Sequence, residues 1–299
     1  MKFSFIVPTL NRPIQLNECV NSLLNQDYKN FEIIIIDQSD NNDSRLVLEN
    51  INTDIPITYK NVNYKGLSKA RNDALGEVKG EYICLVDDDA IYMNDYLTNA
   101  HDYLMKNPGK FILSGIIIGK ETGENFVEYE VAKDKETLKM WKILKICQSA
   151  GLIVPLNLLK LSNGFDTDFG VGAKYGSAEE TDVLIKSKRD GYNVIHLKKM
   201  VLLHPKTMPI YDESYYTKIY GYAKGSGALI KKHMVYNKQI NLFSKMLRLS
   251  IGQLIKMKLS TDKNIRKEYK VKLNGFFHGF KEYKKSEMSK LKMKSKLFS

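Results

Sequence analysis

Apolar residues in the first 120 positions fall into short, nearly continuous runs. Between these runs they recur every three or four residues. The runs at 3–7, 31–36, 80–86 and 111–118 are rich in isoleucine, valine and phenylalanine, as strands buried on both faces are. The stretches at 13–24, about 44–52, 66–75 and 94–106 carry helical spacing. Pro13 stands in the first turn of the first stretch, and Ser68 is a candidate cap of the third. A shorter strand is predicted at 57–59. This alternation predicts an α/β fold, a doubly wound and mostly parallel sheet flanked by helices. Ligands bind such sheets beyond the carboxyl ends of the strands.

After residue 118 the pattern loosens. Residues 119–134 are polar and read as a loop or hairpin. Residues 135–146 have helical periodicity and contain the only tryptophan, Trp141. Short strands are predicted at 151–155, 193–195 and 200–203, and helices at 179–189 and 215–234. Glycines 170, 172 and 176 permit tight turns, either in a loop that closes over a ligand or in a fixed turn. From about 242 to 281 apolar residues interleave with lysine and arginine at helical spacing. The predicted division is a catalytic domain over 1–240 and a basic amphipathic helical extension over 241–299.

Charge sharpens that division. The chain has 299 residues and a formal net charge of +12. Residues 243–299 hold 16 Lys/Arg against 4 Asp/Glu, which leaves 30 of each sign in the first 242. The body is neutral and the tail carries the excess. A nucleic-acid-binding protein could use such a tail on phosphates, but its large apolar component and the lack of a recognisable nucleic-acid-reading module argue against that. An anionic membrane surface suits it better, unless its apolar faces pack on the catalytic domain. Cys19, Cys84 and Cys147 are isolated in apolar surroundings and read as reduced core thiols of a cytoplasmic protein. Met1-Lys2 runs straight into the first strand without a signal-peptide pattern, and no apolar run is long enough to span a bilayer.

The chemistry concentrates in acids. Asp87-Asp88-Asp89 follow directly on the buried run 82–86. Three adjacent carboxylates repel one another and are tolerable at a strand end when a divalent cation neutralises them; that cation can grip a diphosphate. Asp89 or Asn94 could alternatively cap the next helix. Asp37 ends the second strand, and Glu179-Glu180-Thr181-Asp182 open a helix, where acids also favour the dipole. No glycine-rich loop follows the first strand, where Pro8-Thr9-Leu10-Asn11-Arg12 stand. This disfavours a sugar nucleotidyltransferase or a dinucleotide oxidoreductase.

These segments together resemble family 2 glycosyltransferases, inverting enzymes of the GT-A fold common in bacterial polysaccharide synthesis. The resemblance rests on Ile6-Val7-Pro8-Thr9 with Asn11-Arg12, Ile36-Asp37-Gln38-Ser39, residues 66–72, Leu85 to Asp89, Gly164-Phe165-Asp166, Glu179 to Asp182 and His204-Pro205, over roughly residues 3–205. It implies transfer of a hexose or N-acetylhexosamine from a UDP-sugar to a glycan or lipid-linked oligosaccharide, for capsule, exopolysaccharide or O-antigen. It also implies Mn²⁺ or Mg²⁺ held by Asp89 and His204. Asp87 with Asp89 would bind the ribose and the metal-diphosphate, Asp88 would touch the ribose or point away, and Asp37 would bind the base, with Thr9 and Arg71 beside it. Arg71 would contact the diphosphate or fork onto Asp37. Glu180 stands where the family has its aspartate base, with Asp182 as its rival. Trp141 and Glu179 are the candidate acceptor contacts. The expected place is the cytoplasmic face of the membrane, and oligomeric state stays open.

Overall fold

The computed structural model of the chain describes residues 1–125, 134–206, 209–237, 251–252 and 254–284. Four parallel strands form its first half: β1 (Phe3–Thr9), β2 (Phe31–Asp37), β3 (Ile57–Asn61) and β4 (Tyr82–Leu85). The strands β5 (Ile91–Tyr92), β6 (Phe111–Gly119), β7 (Lys135–Thr137), β8 (Leu152–Pro155) and β9 (Asn193–His204) complete one sheet of order β3-β2-β1-β4-β8-β6-β9-β5, with β7 added on β9. The short strand β8 runs antiparallel between β4 and β6, while β6 and β9 are parallel.

The nearly continuous apolar runs serve two cores because alternate side chains leave opposite faces of a strand. Phe5, Val7, Ile33, Ile35, Cys84 and Val86 pack with α1 (Pro13–Leu24) and α4 (Tyr96–Lys106). Ile6, Ile34, Ile36, Ile83 and Leu85 face the other way, toward α3 (Leu67–Ala74), α5 (Met140–Ile146), α6 (Leu156–Leu161) and α7 (Glu179–Arg189). Each such side chain contributes about 1.5–3 kcal/mol by burial. The remaining helix of this half, α2 (Asp43–Glu49), lies against α1. Registers Thr9↔Asp37 and Ile6↔Leu85 bring the carboxyl ends of β1, β2 and β4 to one edge.

Several expectations change. Ser68 does not cap α3: Gly66 occupies the cap, and the buried Ser68 hydroxyl donates to the Phe169 carbonyl at 2.6 Å. Residues 135–137 form a strand on β9 before the Trp141 helix starts. The two strands read around Lys198-Lys199 are one, β9; the exposed lysines interrupt the apolar pattern but not the backbone pairing. Cys19, Cys84 and Cys147 are buried free thiols, as expected.

The tail also differs. The helix α8 (Glu213–Lys231) continues into a wider turn at Lys232–Tyr236, and α9 (Lys263–Glu282) packs along α8. Leu273 and Phe276 of α9 and Tyr283 just beyond it are buried, with Phe169, Tyr175 and Ile185 of the catalytic body in the same core. A side chain at Gly227 or Gly279 would strike the backbone carbonyl of Phe276 or Lys224, so these glycines set the helices backbone to backbone. The apolar face of α9 is therefore spent on packing, and the boundary expected at 240 does not separate two cores. Residues 242–250 and those beyond 284, on which much of the membrane reading rested, lie outside the described residues.

The same packing decides the glycine-rich turn. Gly170 N–H donates to the Tyr175 carbonyl and Leu67 N–H to Val171, while Tyr283 packs against Phe169 and Tyr175. It is a fixed turn braced by the C-terminal helices.

Candidate active site

The acid triplet lies where β4 ends, and its three carboxylates part company. Asp88 turns inward: it is buried, accepts from Thr9 Oγ1 at 2.7 Å and pairs with Arg12 Nη1 at 3.0 Å. Burial raises its pKa against the pull of Thr9 and Arg12. Asp87 and Asp89 face His204, whose Nε2 lies 3.7 Å from Asp87 Oδ2 and 3.1 Å from Asp89 Oδ1. Strand pairing creates this meeting. Ile91 of β5 pairs with Leu203 of β9, which sets Asp89 beside His204 at the strand's end. The imidazole is oriented by Nδ1, 3.0 Å from the Pro205 carbonyl, which leaves Nε2 toward the acids.

Arg12, unassigned from sequence, closes the triplet from the α1 side. Asn11 adopts a left-handed backbone at φ 55°, and Arg12 Nη1 then reaches Asp89 Oδ2 at 2.9 Å as well as Asp88. Burial raises the Asp89 pKa, but His204 and Arg12 outweigh it and hold the carboxyl below the usual range. Burial lowers His204, and Asp89 with Asp87 outweighs that and raises it.

A buried bridge joins the triplet to α7. Arg71 on α3 has no exposed surface; Nη1 lies 2.8 Å from Glu179 Oε1 and Nη2 3.4 Å from Asp87 Oδ1. Ser149, just before β8, donates to Asp87 Oδ1 at 3.0 Å. Two expectations are corrected here. Arg71 is spent on Glu179 and Asp87, so it does not fork onto Asp37. Glu179 is only 4% exposed, sealed against Arg71, and does not face an acceptor.

The next residue has the properties of a base. Ala178, left-handed at φ 80°, starts α7 abruptly, so that Glu179 turns into the protein while Glu180 stays partly exposed. Burial, then the neighbouring Glu179 charge, push the Glu180 carboxyl up to about 8. Asp182 cannot share this role. It is fully buried, with Lys186 Nζ at 2.6 Å, His233 Nε2 at 2.7 Å and Lys232 Nζ at 2.9 Å; Lys232 also holds Asp166 at 2.6 Å. Burial opposes the charge, yet the two lysines and His233 keep it ionised far below the usual carboxylate range. Asp182 is a clamp between α7 and the end of α8. Asp182→Ala is expected to cost about 1–3 kcal/mol, because it takes the carboxylate from the buried His233 and the partly buried Lys186, while Lys232 keeps Asp166. Chemical denaturation would show this as a lower midpoint, and an unchanged midpoint would contradict the clamp.

The nucleotide end is more closed than its sequence suggested. Asp37 is buried; Oδ1 accepts from Ser39 N–H at 2.8 Å and Oδ2 from the Tyr59 hydroxyl at 2.7 Å. Each carboxylate oxygen thus already accepts one hydrogen bond and keeps a further lone pair for a base. Thr9 serves Asp88 rather than a base. Gln38 Oε1 accepts from Gly66 N–H at 2.7 Å and so fixes the start of α3. Trp141 is 53% exposed on α5, with Lys142 near its ring, so it is not a core residue.

Among the described residues no three His, Cys, Asp or Glu side chains already converge as a ready-made metal cluster. Asp87, Asp89 and His204 approach one another through the His204 ring, and the buried Asp89 Oδ1 lacks a hydrogen bond of good geometry. Two carboxylates and an imidazole form a donor set that fits Mn²⁺ or Mg²⁺.

Solved structures place this architecture in a known class. S. aureus TarS 1–349 in complex with UDP-GlcNAc superposes with a TM-score of 0.61 at 17% identity, over 94% of this chain and 91% of that one. Mannosyltransferase PcManGT from Pyrobaculum calidifontis, in complex with GDP-Man and Mn²⁺, gives 0.62 at 16%, over 93% and 85%. At such identities the likeness establishes the fold, which is GT-A. Residues 4–151 of the chain match the model of Glycosyl transferase family 2.

Curated relatives include the GalNAc(5)-diNAcBac-PP-undecaprenol beta-1,3-glucosyltransferase of Campylobacter jejuni, 33% identical over 46% of this chain and 46% of its own length. The UDP-Glc:alpha-D-GlcNAc-diphosphoundecaprenol beta-1,3-glucosyltransferase WfaP of Escherichia coli is 31% identical over 54% and 62%. The chain thus spans about half to three fifths of the length of these relatives.

Proposed function

We propose that this protein is an inverting, metal-dependent glycosyltransferase that moves a hexosyl or N-acetylhexosaminyl group from a UDP-sugar to a glycan or lipid-linked oligosaccharide. One observation carries the reading. A partly exposed carboxyl with its pKa near 8, Glu180, is linked through Glu179 and Arg71 to the Asp87–Asp89–His204 cluster. That is a proton acceptor set beside an anion-handling centre. Asp87, Asp89 and His204 would hold Mn²⁺ or Mg²⁺, which supplies positive charge to the leaving diphosphate. Glu180 takes the acceptor hydroxyl proton as that oxygen attacks the anomeric carbon. The bond from that carbon to the diphosphate breaks on the opposite side, so the configuration inverts and no enzyme nucleophile is needed.

Both curated relatives are named for diphosphoundecaprenol acceptors, and one for a UDP-sugar, which supports the same substrate classes here. Trp141, exposed near the start of α5, offers an indole face to an acceptor sugar. Residues 254–259 are helical and expose Leu254, Ile255 and Leu259, the last at 77%, beside Lys256 and Lys258. That segment suits an anionic membrane surface at the cytoplasmic face, near a lipid-linked acceptor. Among the described residues no helix is long and apolar enough to cross a membrane.

Isothermal titration tests the donor assignment. UDP should bind more tightly than GDP, and Asp37→Ala should shrink the preference by removing the carboxylate that accepts from the uracil imide N–H. Equal binding of UDP and GDP by the wild type would contradict a uridine donor.

A further inference from the structure

A groove opens between α1, α2 and the turn after α2, away from the acids; its volume is about 600 Å³. Small-ligand sites span about 300–1,000 Å³. Both helices end here. Asn25 and Asn50 are their C-terminal caps, and β2 and β3 begin a few residues further on. The groove therefore lies at the amino edge of the sheet, roughly 20 Å from the acid triplet, the length of a strand such as β2. Its walls are amides. Asn17, Asn21 and Asn25 recur every four residues along α1 and share a face, while Asn50 and Asn52 come from the end of α2 and the turn beyond it. Leu24, Val47 and Ile51 add apolar surface between them. None of the nine lining residues is charged, although 27% of the chain is, so the neutrality is a feature of the groove.

The amides have bonding capacity to spare. Asn21 Nδ2 donates to the Asn17 carbonyl at 2.8 Å and Asn50 Nδ2 to the Leu46 carbonyl at 3.0 Å, which leaves Oδ1 of each as an acceptor. Among the described residues the side chains of Asn25 and Asn52 make no hydrogen bond within the protein. A phosphate or carboxylate ligand calls for cationic partners, and two helix C-termini, which carry partial negative charge, disfavour it. A carboxamide both donates and accepts. Several of them around small apolar patches match a ligand with many hydroxyls and C–H faces. We propose that this groove binds a neutral oligosaccharide, a segment of glycan remote from the end at which transfer occurs. The choice of a saccharide among neutral ligands rests on the glycosyltransferase reading above. A chain held here stays near the acids between transfers, which raises its effective concentration.

The test is a saturation-transfer NMR titration of laminarihexaose, maltohexaose and chitohexaose, with hexagalacturonate as the anionic control. It compares wild type with the double variant Asn25→Ala/Asn52→Ala, which removes two amides that hold nothing in the fold. At least one neutral hexaose should bind the wild type, and its affinity should fall about tenfold in the variant, the scale of two lost hydrogen bonds. UDP affinity and the thermal midpoint should not change. No binding of any neutral hexaose to the wild type would overturn the proposal. Binding that is equal in the variant would also overturn it, since the saccharide would then sit elsewhere. Hexagalacturonate binding as tightly as the neutral chains would overturn the ligand class. Saccharide binding in the groove without nucleotide release from any sugar donor would bring down the glycosyltransferase reading and leave the groove standing, so the two fail separately.

Discussion

Asp89→Ala is expected to lower sugar transfer by about 10²–10³-fold, the scale of removing one preorganised electrostatic contact to a leaving group. The fold should survive. Asp89 is one of two acids on Arg12, and Asp88 remains to hold that guanidinium. The His204 pKa should fall once its main partner is gone, because Asp89 is what raises it. His204→Ala should act in the same direction with a smaller effect, since Asp87 and Asp89 both remain. The measurement is nucleotide release under saturating donor, with the thermal midpoint recorded beside it. An Asp89→Ala protein that keeps a third of wild-type turnover would remove the acid cluster from the account.

Glu180→Gln is expected to lower kcat by about 10²–10⁴-fold while leaving UDP binding nearly intact, because the amide keeps the shape but cannot take a proton. The pH dependence gives an independent sign. Burial and Glu179 put the Glu180 carboxyl at about 8, so the active, ionised form is the minority at neutral pH. Turnover should rise about tenfold per pH unit below that value and level off above it. In Glu180→Gln this limb should vanish. A limb near the ordinary glutamate range would show that Glu180 is not the titrating base, and a fully active Glu180→Gln would do the same. Proton NMR of the product, showing an anomeric configuration opposite to the donor's, completes the assignment.

What the sequence revealed depended on how local each feature is. Strands β1, β2 and β4 are nearly all apolar because they are buried on both faces, and the run alone places the acids that follow at the sheet's carboxyl edge. Asp87 and Asp89 were legible because they follow directly on the apolar run that contains β4, and His204 because it ends β9. The partnerships were not. Arg71 lies over a hundred positions from Glu179, and nothing in either segment says that they meet. Asp182 and Glu180 look equally fit to be a base in sequence; only Lys232 and His233, which arrive from α8, separate them. Arg12 reads as a loop residue until the left-handed Asn11 turns it onto the acids. The periodicity of α9 shows an apolar face but not its occupant, and Gly227 and Gly279 give it to α8. The family match ends at residue 151, so Glu180 and His204 stand on the later, less regular half.

The central claim is tested most directly by nucleotide release from the purified wild-type protein. It would be incubated with UDP-glucose, UDP-galactose, UDP-N-acetylglucosamine and GDP-mannose, each with Mn²⁺, with Mg²⁺ and with a chelator. The account predicts UDP release from at least one UDP-sugar with a divalent cation and its loss on chelation. No release from any donor, or release that persists undiminished in the chelator, would contradict it.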